Sequence, residues 1–168
     1  MHYGIAHSAL GWALAVWNEQ GLRSVDLSDQ EEQLLHWIKE RFPTQTISPA
    51  DGQDAELLKK IVTVLENPET PLDHPLALEG TAFQKRVWHA LQSIPPGQTI
   101  TYSELATHLG EPKAVRAVAN ACGANQLAVI VPCHRVVRSD GGLGGYRWGI
   151  ERKQALLNRE AKLAAIVS

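Results

Sequence analysis

The chain has 168 residues, 44% of them apolar, and a formal net charge of only −2, which allows one ample domain or two small ones with a real core. Two cysteines, Cys122 and Cys133, exclude a disulfide framework and a four-Cys zinc site, and the seven histidines form no His-x-x-x-His pair, so no metal is expected. The opening Met1-His2-Tyr3-Gly4 lacks the basic and apolar regions of an export signal, and no stretch approaches the roughly 18 apolar residues of a membrane span, so a cytoplasmic protein away from membranes is expected.

The first half reads as α/β. Residues 2–9, 11–18 and 22–27 have the composition of short strands, separated by Gly11 and the turn Asn18-Glu19-Gln20-Gly21. Asp29 or Gln30 to Arg41 fits an amphipathic helix with Leu34, Leu35, Trp37 and Ile38 on one face. A second helix is expected from about Asp54 to Leu65. Trp12, Trp17 and Trp37 are read as packing residues, and no chemistry is visible in this half. The proline-rich residues 68–75 read as a linker. Charge changes there too: residues 1–80 carry 5 Lys+Arg against 13 Asp+Glu, net −8, and residues 81–168 carry 11 against 5, net +6. Such a split suits a polyanion partner for the second half, or an uneven scatter of solvated charges.

The second half is mainly helical. Phe83, Val87, Trp88 and Leu91 share a helical face that Ile94-Pro95-Pro96-Gly97 terminates. Thr101-Tyr102-Ser103-Glu104 matches a capping box, and its short helix stops at Gly110. Pro112 suits the first turn of a basic, Ala-rich helix over residues 113–121, carrying Lys113 and Arg116. Two helices joined by a turn of about three residues satisfy a helix-turn-helix; a buried Ala-rich helix is the alternative. Residues 128–131 then read as a buried strand that delivers Cys133, and residues 149–163 as a last amphipathic helix placing Ile150, Leu156, Leu157 and Leu163 on the core.

The run Val131-Pro132-Cys133-His134-Arg135-Val136-Val137 carries the chemistry. A free thiol is mostly protonated at pH 7, and a nearby imidazole or positive charge can supply the thiolate. Adjacent side chains seldom meet, so a relay from imidazole through water to thiol is easier than a direct pair. His134 would then need a carboxylate on its other nitrogen, offered by Glu151 or Glu160 of the last helix. An inert buried Cys133 and a surface Glu160 are the alternative.

Taken together, these residues resemble the O6-alkylguanine-DNA alkyltransferases. The resemblance lies in Gly80-Thr81-Ala82-Phe83-Gln84-Lys85-Arg86-Val87-Trp88, Ile94-Pro95-Pro96-Gly97-Gln98-Thr99-Ile100-Thr101-Tyr102, Arg116-Ala117-Val118-Ala119-Asn120-Ala121, Ala124-Asn125 and Pro132-Cys133-His134-Arg135-Val136. It runs through residues 79–163, and Gly145-Tyr146-Arg147-Trp148-Gly149-Ile150 is similar to the bacterial Ada-type subgroup. It implies an α/β domain over residues 1–78, a small ribonuclease H-like sheet plus helices. A mainly α, winged helix-turn-helix-like domain over residues 79–168 would follow.

The implied function is direct-reversal DNA repair, in which the alkyl group of O6-alkylguanine moves irreversibly to Cys133 without cofactor or metal. His134 and Glu160 would activate the thiol through water, and Asn125 would fix the turn before it. Tyr102 would protonate the departing purine. Arg116 would fill the gap left by the flipped nucleotide, and Lys113, Ala117, Thr101 and Arg135 would also meet DNA. Val136, Tyr146 and Arg147 would contact the base. The implied partner is double-stranded DNA bearing the lesion, met by a monomer that is nucleoid-associated when bound. Gln126 departs from the Pro, and Arg147 from the Ser, of other members. The Cys pairs that bind zinc in some N-terminal domains are absent, as is the metal-binding Cys domain that repairs phosphotriesters. A non-catalytic alkyltransferase-like lesion binder, a winged-helix transcription factor and a Cys-His hydrolase are the competing readings.

Overall fold

Short runs rich in apolar residues, broken by two tight turns, bring the first 28 residues into an antiparallel meander. In the computed structural model, which describes residues 1–67 and 69–167, its strands are β1 (His2–Ser8), β2 (Gly11–Asn18) and β3 (Gly21–Ser28). Gly11 and Gly21 close the turns with φ of 102° and 139°, a region closed to most L side chains. Helix α1 (Glu31–Arg41) packs on β3 and β2, and Leu34, Ile38 and Phe42 form a core with Leu14 and Val16. The two-residue β4 (Ser48–Pro49) then joins β1 in parallel, giving the order β3-β2-β1-β4. Helix α2 (Gln53–Glu66) crosses β1 at Gly4, where a Cβ would stand 2.8 Å from Leu58 Cδ2. Pro68, at the head of the expected linker, lies outside the described residues.

Strand β3 is buried along nearly its whole length, although it carries Arg23, Ser24 and Asp26. Its charges are paired: Arg41 Nη1 donates to Asp26 Oδ2 at 2.6 Å, and Arg23 Nη1 to Glu79 Oε1 at 2.9 Å. Two separate segments cover its outer edge. Leu22 N–H donates to Pro75 O and Ala77 N–H to Leu22 O, while Val25 N–H donates to Gln126 O and Ala128 N–H to Val25 O. An unpaired edge invites association with other chains, and these bonds remove it. Residues 126–130 therefore belong to the same compact unit as residues 1–79.

That finding corrects one expectation. Residues 128–131 are not a strand. Leu127 makes a single bridge to Val25, after which residues 128–130 turn, with Val129 at φ 68°. A short apolar run reports burial and does not distinguish a strand from a buried turn.

The second unit comprises residues 80–125 and those from 131 onward. Helix α3 (Ala82–Leu91) opens on a capping box: Thr81 Oγ1 accepts from Gln84 N–H, and Gln84 Oε1 from Thr81 N–H. Strand β5 (Ile100–Thr101) leads into α4 (Tyr102–His108), where Thr101 Oγ1 accepts from Glu104 N–H at 3.0 Å. Gly110, at φ 77°, ends α4 in a Schellman motif: Gly110 N–H donates to Thr107 O and Glu111 N–H to Ala106 O.

Helix α5 (Val115–Gly123) starts two residues later than expected. Pro112 lies in a turn closed by Ala114 N–H donating to Glu111 O, so the connection between α4 and α5 spans residues 109–114 rather than about three. Helices α3 and α4 both pack on α5, and Trp88 Nε1–H donates to Ala121 O at 2.8 Å. Strand β6 (Val136–Val137) pairs in parallel with β5, and α6 (Ile150–Val167) completes the unit. On α6 the buried residues Lys153, Leu156 and Glu160 follow i, i+3, i+7 spacing. Ile150, expected on the core, is 47% exposed at the first residue of that helix.

Candidate active site around Cys133

Cys133 opens a single 3₁₀ turn, Cys133–Arg135, that feeds directly into β6. Cys133 N–H donates to Val131 O at 2.8 Å and Arg135 N–H to Pro132 O at 3.0 Å, which makes the bend tight. The thiol is only 5% exposed. Asn125 Nδ2, itself buried, donates both to Cys133 Sγ at 3.3 Å and to Val131 O at 2.9 Å. Burial pushes the thiol above its usual range. The Asn125 hydrogen bond and the positive charges of Lys153 and Arg147 offset part of that rise. At rest Cys133 is therefore a neutral thiol.

His134 and Arg135 converge on one carboxylate. His134 Nε2 lies 2.7 Å from Glu160 Oε2, Arg135 Nε donates to Glu160 Oε1 at 2.8 Å, and Arg135 Nη2 to Glu160 Oε2 at 3.1 Å. Arg135 Nη1 reaches Ile94 O at 2.6 Å. Burial alone would raise the Glu160 carboxyl, but hydrogen bonds and charge from His134 and Arg135 bring it down to about 2. Burial lowers His134 below its ordinary value, against the opposing pull of Glu160. An ionised carboxylate can only accept, so Nε2 carries the proton and Nδ1 presents a lone pair. Nδ1 is buried and has no hydrogen-bond partner among the described residues.

The thiol forms part of the wall of a cavity of about 190 Å³, shared with Tyr102, Cys122, Gly145, Tyr146 and Arg147. Burial, followed by the neighbouring Cys122 and Cys133, raises the Tyr102 hydroxyl to about 12, so it is a donor at neutral pH. Gly144 passes close to it: a Cβ there would lie 2.7 Å from the Tyr102 hydroxyl, and its φ of 75° favours glycine. Arg147 Nη1 donates to Asn125 O at 3.1 Å, and its guanidinium lies 5.7 Å from the Trp148 ring centroid. The Tyr146 ring meets His134 edge-on at 6.5 Å.

Cys133, His134, Glu160, Asn125, Tyr102, Tyr146 and Arg147 thus converge, and Val136 lies beside them with its carbonyl accepting from Lys153. Lys113, Arg116 and Ala117 are exposed, Lys113 in the turn before α5 and the other two on the helix. Thr101 is half-buried, with its hydroxyl capping α4. Arg135 is a correction. Expected on DNA, it is 6% exposed and its guanidinium is bonded to Glu160 and Ile94.

Lys153 was not anticipated. Fully buried, its Nζ donates to Val136 O at 2.7 Å and Gly145 O at 3.2 Å and stands 5.9 Å from the Tyr102 ring centroid. Its spacing from Glu160, seven residues along one helix face, was the available signal. Cys122, on the same cavity wall, is buried and raised to about 12, chiefly by desolvation. Among the described residues no three His, Cys, Asp or Glu side chains converge as a metal site.

Residues 82–162 match the family described as 6-O-methylguanine DNA methyltransferase, DNA binding domain. The chain is 46% identical over 162 residues to the bifunctional transcriptional activator/DNA repair enzyme Ada of Escherichia coli, covering 96% of this chain and 46% of that protein. It therefore spans about half the length of that relative. It is 37% identical to the methylated-DNA–protein-cysteine methyltransferase of Methanosarcina barkeri, covering 95% of this chain and 97% of that one. The Mycobacterium tuberculosis OGT crystal structure in complex with DNA superposes with a TM-score of 0.80 at 35% identity, covering 96% and 94% of the two chains. With most of its length aligned to such relatives, the chain belongs to the O6-methylguanine-DNA methyltransferase family.

Proposed function

We propose that this protein repairs DNA by direct reversal, transferring the alkyl group of O6-alkylguanine to Cys133 in a single, irreversible event. The observation that carries this reading is the Cys133 thiol on a cavity wall, followed immediately by a histidine whose Nε2 lies 2.7 Å from Glu160 and whose buried Nδ1 has no hydrogen-bond partner among the described residues. A water between Nδ1 and Sγ completes the path. The thiol proton passes to His134, and sulfur attacks the alkyl carbon. The C–O6 bond breaks, its electron pair stays on the purine oxygen, and Tyr102 supplies the proton that neutralises the departing guanine. The thioether has no hydrolytic exit, so each molecule acts once.

The target carbon is hidden inside a duplex, and reaching it requires extrusion of the base at a cost of a few kcal/mol, lower where the lesion has weakened the pair. In this reading α4 and α5 form the helix-turn-helix of a winged domain. Lys113, Arg116 and Ala117 face the DNA, and Arg116 occupies the gap left in the stack. The sheet of residues 1–79 is read as ribonuclease H-like, and the working species as a cytoplasmic monomer. Val136, Tyr146, Arg147 and the loop around Gly144 surround the flipped base.

The test is intact-mass analysis after incubation with a duplex carrying one O6-methylguanine. One methyl group per protein is expected, lost in Cys133→Ala and retained in Cys122→Ala. Turnover beyond one equivalent, or no adduct, overturns the reading.

A further inference from the structure

Arg135 sits next to the reactive pair but faces away from solvent, and three of its donors are directed at fixed acceptors. Two of these reach both oxygens of Glu160, a forked grip that a guanidinium makes and an ammonium does not. The third, on Ile94 O, anchors the guanidinium to the end of the α3 connection. The Glu160 carboxylate thus lies between a permanent cation and the imidazole.

Resting on the functional reading above, we propose that Arg135 is a positioning residue: it holds and neutralises Glu160 so that His134 keeps its proton on Nε2 and faces the thiol with Nδ1. Charge neutralisation is the part that positioning alone does not explain. A carboxylate with no other partner favours imidazolium, which has no lone pair and cannot accept the thiol proton. Burial is the largest influence against the charged ring, and the charge of Arg135, then that of Lys153, opposes the pull of Glu160 as well. The titratable and charged groups around His134 are Glu160 and Lys153 from α6, Arg135 and Cys133 from its own turn, and Tyr146 from the following loop. Of these Glu160 alone is an anion at neutral pH, and Arg135 is bonded to both its oxygens.

The decisive measurement is the single-turnover rate of methyl transfer from pH 5 to 9 for the full chain and two variants. Arg135→Gln should move the acid limb of the profile upward by about one pH unit, because an unneutralised Glu160 charge holds His134 protonated to higher pH. Arg135→Lys should return the limb close to its original position, even if the plateau rate is lower. A limb that stays in place in Arg135→Gln while the rate falls equally at every pH would mean a merely structural role and would overturn the proposal. Should Arg135→Gln not fold, nitrogen-detected imidazole NMR of the unaltered protein gives an independent answer. The expected state of His134 at pH 7 is the neutral Nε2–H tautomer; imidazolium or Nδ1–H would overturn it. This NMR result is separate from methyl transfer, so failure of the repair reading and failure of this proposal are distinguishable.

Discussion

Glu160 shows how a buried carboxylate is made tolerable and what that arrangement costs in acid. Its folded value of about 2 lies below the ordinary 4.5, so it contributes stability above pH 4.5 that is lost as pH falls toward 2. The difference is worth up to about 3 kcal/mol. His134 is lowered from 6.5, so the unfolded chain takes up its proton first and stability begins to fall below pH 6.5. Both effects have the same sign. Urea midpoints should therefore decline from pH 6.5 downward and more steeply below 4.5, and a flat profile between pH 7 and 4 would contradict this. Triad logic and family resemblance made Cys133, His134 and Glu160 legible from sequence. The resemblance puts Arg135 on DNA, and only tertiary packing shows that its guanidinium is buried against Glu160 and Ile94.

At the level of elements, periodicity worked where elements were long enough to have a period. Helices α1 and α2 lie within two residues of where apolar spacing puts them, the face from Phe83 to Leu91 falls within α3, and the three strands of the meander lie within one residue of the bounds that composition and turns give. The two-residue strands β4, β5 and β6 were invisible because two residues define no alternation. The α4–α5 connection was misjudged because Pro112 fits both a first helical turn and an ordinary turn, and the Glu111–Ala114 hydrogen bond selects the latter. Arg116 remains in the first turn of α5, exposed. Arg116→Ala should slow repair in duplex DNA by about tenfold or more, since holding a base out of the stack is a matter of a few kcal/mol. Reaction with free O6-benzylguanine, which needs no extrusion, should change by less than about twofold on the same rate scale. Equal slowing with both substrates would remove Arg116 from the flipping step.

Across the whole molecule, charge is partitioned as the folded units are. Residues 126–130 carry no charge, so the first unit keeps its net −8 and the second its net +6. If the second unit grips the backbone through its cations, repair of duplex DNA below saturation should fall with added salt, at about −0.9 in log–log slope per phosphate contacted. Reaction with the free base should be nearly independent of salt. Comparing the two substrates across a salt series checks this, and parallel curves would argue against an electrostatic hold on DNA.

The hydrogen bonds that Val25 makes to Gln126 and Ala128 also bear on the order in which the chain can fold as it is synthesised. The amino-terminal domain of a growing polypeptide commonly folds first, as its own sequence emerges. Here the outer strand of the first sheet waits for partners about a hundred residues downstream. During that interval Val25 offers an open N–H and C=O, so the earliest structure to form is not the earliest to be finished. The segment that closes it lies only a few residues ahead of Cys133, and synthesis of the reactive turn follows almost immediately.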